Sequence, residues 1–171
     1  MNAEMLNDLY RHMEWADTSV WGAVLASEEG RADVKLREYL HHLHRVQRVF
    51  LNTWRGEPRE EPGPTPDETA ALLPPARRYY AEVFAHLATI GEALSEPMPV
   101  PWAASVERYI GRPAEVTTYG ETALQVVLHS TYHRGQVNAR LRAVGGEPAT
   151  TDYIAWVWLG RPAAEWPSVS P

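Results

Sequence analysis

Apolar residues in this chain recur every three to four positions through four long segments, and no segment alternates apolar with polar residues as a half-buried strand does. In the first, over about residues 3–27, Leu6, Leu9, Tyr10, Met13, Val20 and Val24 share one helical face. In the second, over about 33–55, Leu36, Leu40, Leu43, Gln47, Phe50 and Trp54 do the same, and Gly56 stands where a helix C′ glycine belongs. The third, over about 66–95, carries Leu73, Ala76, Tyr80, Val83, Leu87, Ile90 and Leu94. Thr65-Pro66-Asp67-Glu68 reads as its start: a capping Thr, a first-turn Pro and a Glu that completes a capping box. A second capping box, Thr118-Tyr119-Gly120-Glu121, opens a fourth helix that runs to about Val144 and stops at Gly145-Gly146. Thr151 or Asp152 can cap a short last helix ending at Trp158.

This pattern predicts an all-α chain, a four-helix bundle with a short C-terminal helix. The connections are long. Residues 57–65 are polar and Pro-rich, and 96–117 read as an irregular excursion with a short hairpin, so crossovers are open to the chain. At 171 residues the chain suits one domain, placed at residues 1–160, with a Pro-rich tail at 161–171 that is expected to fray.

Composition narrows the function classes. Sixteen Lys and Arg against 22 Asp and Glu give a net charge of −6, the wrong sign for non-specific nucleic-acid binding or for an anionic membrane surface. Cysteine is absent, which removes disulfides, thiolate nucleophiles and Cys-ligated metals. The opening segment MNAEMLNDLYRHMEWAD is charged throughout and no apolar run reaches the ~18 residues of a membrane span, so a cytoplasmic protein is expected. Seven histidines remain as the candidate chemistry.

His129 and His133 are four apart on the fourth helix and lie about 40° apart in helical phase, with Cβ atoms ~6 Å apart, close enough to share one metal ion. Phase places them in the middle of the inward face with Val126, Val137 and Val144. Thr131, Arg134, Asn138 and Arg142 fall on the opposite, polar face. On the second helix, His41 shares a face with Arg37, Arg48, Asn52 and Arg55 and is expected in solvent. His42 and His44 sit on the two edges of the apolar stripe, and periodicity does not choose between them. Two histidines from one helix and one from another make a three-nitrogen site with an open position, the catalytic rather than the closed structural type. Asp17 is in phase with the inward residues Tyr10, Met13 and Val20. Such a carboxylate either bonds a core Trp or Tyr, or orients a metal-bound His or water. His12 and His86 lie at stripe margins and are expected to be partly exposed.

The string HSTYHRGQVNARLRAVGGEPATTDYIAW resembles the signature region of the DinB/YfiT-like family: His129, His133, Arg134, Gly135 and Gln136 stand as HxxxHRGQ, followed by Gly146, Pro148 and Asp152. Leu40, His42, Phe50, Trp54 and Gly56 on the second helix, and Trp15-Ala16-Asp17 on the first, are similar to family positions as well. The resemblance implies a four-helix bundle holding one divalent metal (zinc or nickel, with iron as a further option) on His42, His129 and His133. It also implies a homodimer and, in some members, a low-molecular-weight thiol as co-substrate. Two positions depart from the pattern. Gln125 stands where relatives often carry another His, and Asp17 replaces a frequent Asn, which adds negative charge near the metal or a fourth ligand.

The resulting expectation is a metal-dependent enzyme acting on a small electrophile, of thiol S-transferase or hydrolase type, in a pocket at the bundle end. Asp17 and Tyr132 would orient reacting groups there, Trp15, Trp156 and Trp158 would line the pocket or, as is commoner for Trp, pack in the core, and Arg134 would serve a salt bridge or the dimer. The alternative is a non-catalytic metal- or ligand-binding protein of the stress-response kind. Neither reading involves nucleic acid or membrane.

Overall fold

A computed structural model describes residues 2–58, 64–91 and 93–168. It is all-α: α1 Ala3–Ala26, α2 Glu28–Ala32, α3 Val34–Trp54, α4 Leu73–Ile90, α5 Ala103–Ile110, α6 Tyr119–Ala143 and α7 Tyr153–Trp158. Three of the four long helices start where side chains cap them. Asn2 caps α1, Asp33 caps α3, and Thr118 with Glu121 forms the expected reciprocal capping box on α6. Gly56 ends α3 at φ 67°, a left-handed conformation that favours glycine.

The four long helices pack as a closed ring, α1 on α6, α6 on α3, α3 on α4 and α4 on α1. Direction follows from which ends meet. Asp33 pairs with Arg140 and Trp54 bonds Thr122, so α3 and α6 run antiparallel. Tyr10 bonds the Ala123 carbonyl and Asp17 pairs with Arg134, so α1 and α6 run parallel. Thr69, just before α4, donates to the Arg31 carbonyl, while His86 stacks on Trp54, so α3 and α4 also run parallel. The α3–α4 connection is therefore a crossover, and the polar connector expected at 57–65 falls in it. Of that connector, residues 59–63 lie outside the described part. Two apolar clusters fill the ring. One is at the end where Tyr10, Trp54, Tyr80 and Val126 meet, and the other gathers Trp21, Leu36, Leu40, Ala76 and Leu141.

Several local expectations are corrected. The third helix does not start at Thr65: a 3-10 turn, Thr69–Leu72, precedes α4, whose first turn is uncapped by any side chain. Pro74 and Pro75 occupy that first turn; lacking N–H groups, they cannot bond back to the preceding turn, which stays a 3-10 turn with helical backbone at Leu72 and Leu73, so the α-helix proper starts at Leu73. Thr65 instead meets His41 Nδ1 at 3.0 Å. The region 96–117 holds no hairpin among its described residues, only an isolated antiparallel bridge between Pro97 and Thr118. It contains α5, closed by Gly111 at φ 70°. The tail does not fray over 161–168. Trp166 Nε1 donates to Glu14 at 2.9 Å, its ring lies 5.7 Å from that of Tyr80, and Trp156 Nε1 bonds the Pro162 carbonyl. Residues 169–171 lie outside the described part.

Candidate metal centre

Antiparallel packing of α3 on α6, fastened by Asp33–Arg140 at one end and Trp54–Thr122 at the other, sets residue 42 opposite residues 129–133. Three imidazoles converge there. The rings of His42 and His133 lie 4.5 Å apart, those of His42 and His129 5.3 Å, and those of His129 and His133 4.2 Å. One nitrogen from each lies within 4.8 Å of the others, and none of the three residues is fully buried, so the group opens to solvent.

His129 Nε2 and His133 Nε2 face each other at 3.0 Å. Two neutral imidazoles at that distance either share one proton or turn both lone pairs onto a common ion. Nitrogens ~2.0–2.1 Å from one tetrahedral metal lie about 3.3 Å apart, so the spacing fits a divalent ion. The donor set agrees: three imidazoles suit zinc, nickel, copper or iron(II). Protonation favours it as well. Burial, then the neighbouring His133 and His42, lowers the pKa of His129 to about 4. Burial also lowers those of His42 and His133. All three rings thus favour the uncharged form that a metal requires.

His44, the alternative that periodicity left open, points elsewhere. Its Nε2 accepts from Trp21 Nε1 at 2.9 Å and its Nδ1 donates to Gln47 Oε1 at 2.8 Å, so both ring nitrogens are committed. Gln47 Nε2 then donates to Asp17 and to Ser130 Oγ. His41 turns to Thr65, away from the group. His12, expected at a margin, is buried and bonded to the Thr151 carbonyl at 3.0 Å, and His86 stacks on Trp54.

Asp17 is buried but is not among the residues that converge with the histidines. Its Oδ1 accepts from Arg134 at 2.8 Å, and its Oδ2 from Gln47 at 2.9 Å and from Tyr80 Oη at 2.5 Å. Tyr132 is 65% exposed and sits beside the site, its ring 5.1 Å from that of His133 in an edge-on contact. Its hydroxyl accepts from Gln136.

Arg134 corrects the phase reading of α6. It is 1% exposed, inside the core rather than on the polar face. The inward stripe is Val126, Ser130, Arg134, Val137 and Leu141, all buried, and the metal-capable histidines flank it on the side toward α3. Two polar residues in the stripe displaced the apparent apolar centre by most of a residue's turn. The three tryptophans line no common pocket, and Trp156 takes the core reading. Trp158 is 78% exposed and Trp156 is buried beneath the tail. Trp15 borders a separate surface cleft with Ser19 and Pro162.

The sequence model of the DinB family matches residues 1–164, and the chain belongs to the DinB family. No curated protein matches it.

Proposed function

We propose that the protein is a metal-dependent enzyme acting on a small electrophile, of thiol S-transferase or hydrolase type, with His42, His129 and His133 as the metal ligands. The observation that carries this reading is the convergence of three neutral imidazoles on a point that remains open to solvent. A closed structural site would surround the ion with four protein ligands; here three are supplied and the remaining direction is free. When bound, a divalent metal supplies Lewis acidity, lowering the pKa of a water or thiol into the neutral range.

The chain's own residues supply the rest. His42 from α3 and His129 and His133 from α6 would supply three imidazole nitrogens to the ion. Tyr132, edge-on to His133 and in solvent, offers a hydroxyl that orients a leaving group or incoming thiol. Asp17 acts one step back: by pairing with Arg134 it fixes the rotation of α6, and with it the aim of both α6 histidines. We take the working unit to be a cytoplasmic homodimer with a zinc or nickel ion per chain.

The test is turnover by the metal-loaded protein of a chromogenic electrophile, 1-chloro-2,4-dinitrobenzene with cysteine or 4-nitrophenyl acetate with water. The expected result is turnover that a chelator abolishes and zinc or nickel restores. Full metal loading without turnover across thiols and esters would favour a non-catalytic metal-binding role.

A further inference from the structure

The α3–α6 pair that carries the histidines extends beyond them along both helices. Val46 and Phe50 follow His42 at one-turn intervals on α3, and Gln125 precedes His129 by one turn, about 6 Å, on α6. There α5 and the segment 114–117 border, together with α3 and α6, an open cleft of about 550 Å3, within the size range of small-molecule sites. Phe50 and Gln125 line its floor. Trp102, which meets the Phe50 ring edge-on at 5.1 Å, lines its wall with Val106 and Val116. Its charged lining residues are Glu115 and Glu121, and no Lys, Arg or His is among the described lining. The positive end of α6 that borders the cleft is already met by Glu121, which bonds Thr118 in the capping box.

We propose that this cleft binds the body of the substrate, and that the substrate is a neutral or cationic small molecule with an aromatic or aliphatic skeleton. The apolar walls favour such a skeleton, and the two carboxylates oppose an anionic one. The inference deepens the metalloenzyme reading, because a molecule lying along the α3–α6 pair presents one end to the histidines. The selectivity of the cleft, however, stands or falls without the metal.

The test uses the full chain, chelator-treated and metal-loaded, with two fluorescent probes that differ by one charge: N-phenyl-1-naphthylamine and its 8-sulfonate. The neutral probe is expected to bind at least tenfold more tightly in both forms. Ala103→Trp, which fills the cleft from α5, should weaken it at least tenfold with circular dichroism and zinc content unchanged. Glu115→Lys, a surface change, should tighten the sulfonate at least threefold. Cobalt(II) loaded on the histidines should quench the bound neutral probe, whereas zinc should not. Equal binding of both probes, or no effect of either variant, would overturn the proposed selectivity. An unquenched probe would overturn its placement beside the histidines. Selective probe binding by a protein that takes up no metal would uphold the cleft and overturn the metalloenzyme reading.

Discussion

The Asp17 carboxylate and the Arg134 guanidinium meet at 2.8 Å with both side chains 1% exposed. The pair bolts α1 to α6 one residue beyond His133, and it is not isolated. Gln47, Tyr80 and Thr131 take up further donors and acceptors on the two groups. Burying two charges is costly, and hydrogen bonding on this scale offsets the cost. Removing one partner leaves the other charged in the core. Asp17→Ala and Arg134→Ala are each expected to lose about 3–5 kcal/mol in urea denaturation, with the double variant no worse than either single. A loss under about 1 kcal/mol in both singles would contradict the pairing.

His42 and His44 are two positions apart and are assigned opposite roles. His44 has both nitrogens bonded inside the protein, and His42 has its ring against the two α6 histidines. His44→Ala should therefore keep its metal and lose about 2–4 kcal/mol of stability, from a cavity and stranded partners. His42→Ala should keep most of its stability and lose its metal. Elemental analysis beside thermal unfolding separates the two, and the reverse pattern would reassign the ligand.

Asp33 caps α3 and takes two bonds from Arg140, at 3.1 and 2.6 Å. The Arg140 bonds first, and the Leu36 amide after them, hold its carboxyl below the usual carboxylate range. A pKa lower in the folded than in the unfolded state means that the stabilisation is complete above the unfolded value of ~3.9 and is lost as pH falls through the folded one. Asp33→Asn keeps the cap and removes the charge. It is expected to cost about 1 kcal/mol at pH 7, a gap that starts to narrow below about pH 4 and closes as pH falls past the lowered folded value. A gap that does not narrow at all as pH falls below about 4 would show that the charge is not the source.

Trp166 lies in the segment that composition alone assigns to a frayed tail. Its bond to Glu14 and its packing on both core clusters predict that Trp166→Ala costs about 2–4 kcal/mol. A change under 0.5 kcal/mol, the usual scale for an exposed position, would return the segment to solvent.

The helices were readable in the sequence because each long one carries its own period, and the Thr118–Glu121 box marked the start of α6; the caps of α1 and α3, Asn2 and Asp33, emerge from the structure. The start of α4 was not, since Thr65 and Glu68 mimic a capping box and the governing signal is the Pro74-Pro75 pair inside the apparent helix. The helix α5 was hidden by the prolines and glycines around it. At the site, the His129–His133 spacing was visible as a local pattern. The choice of His42 over His44 needed the family resemblance, because it depends on how α3 is rotated against α6. Arg134 was misplaced for a related reason. An arginine is assigned to solvent on composition, and only the buried carboxylate of Asp17, 117 residues earlier, explains its place in the core. The phase of Gln47 and Asp17 on otherwise apolar stripes was the one sequence signal for that network.

The most direct measurement of the central claim is metal content by elemental mass spectrometry, on protein purified without an affinity tag and offered zinc or nickel, for wild type, His42→Ala and His133→Ala. The account predicts about one metal per chain in wild type and loss in both variants, with all three proteins folded. Wild-type protein that takes up no metal, or a His42→Ala variant that binds as tightly as wild type, would contradict it.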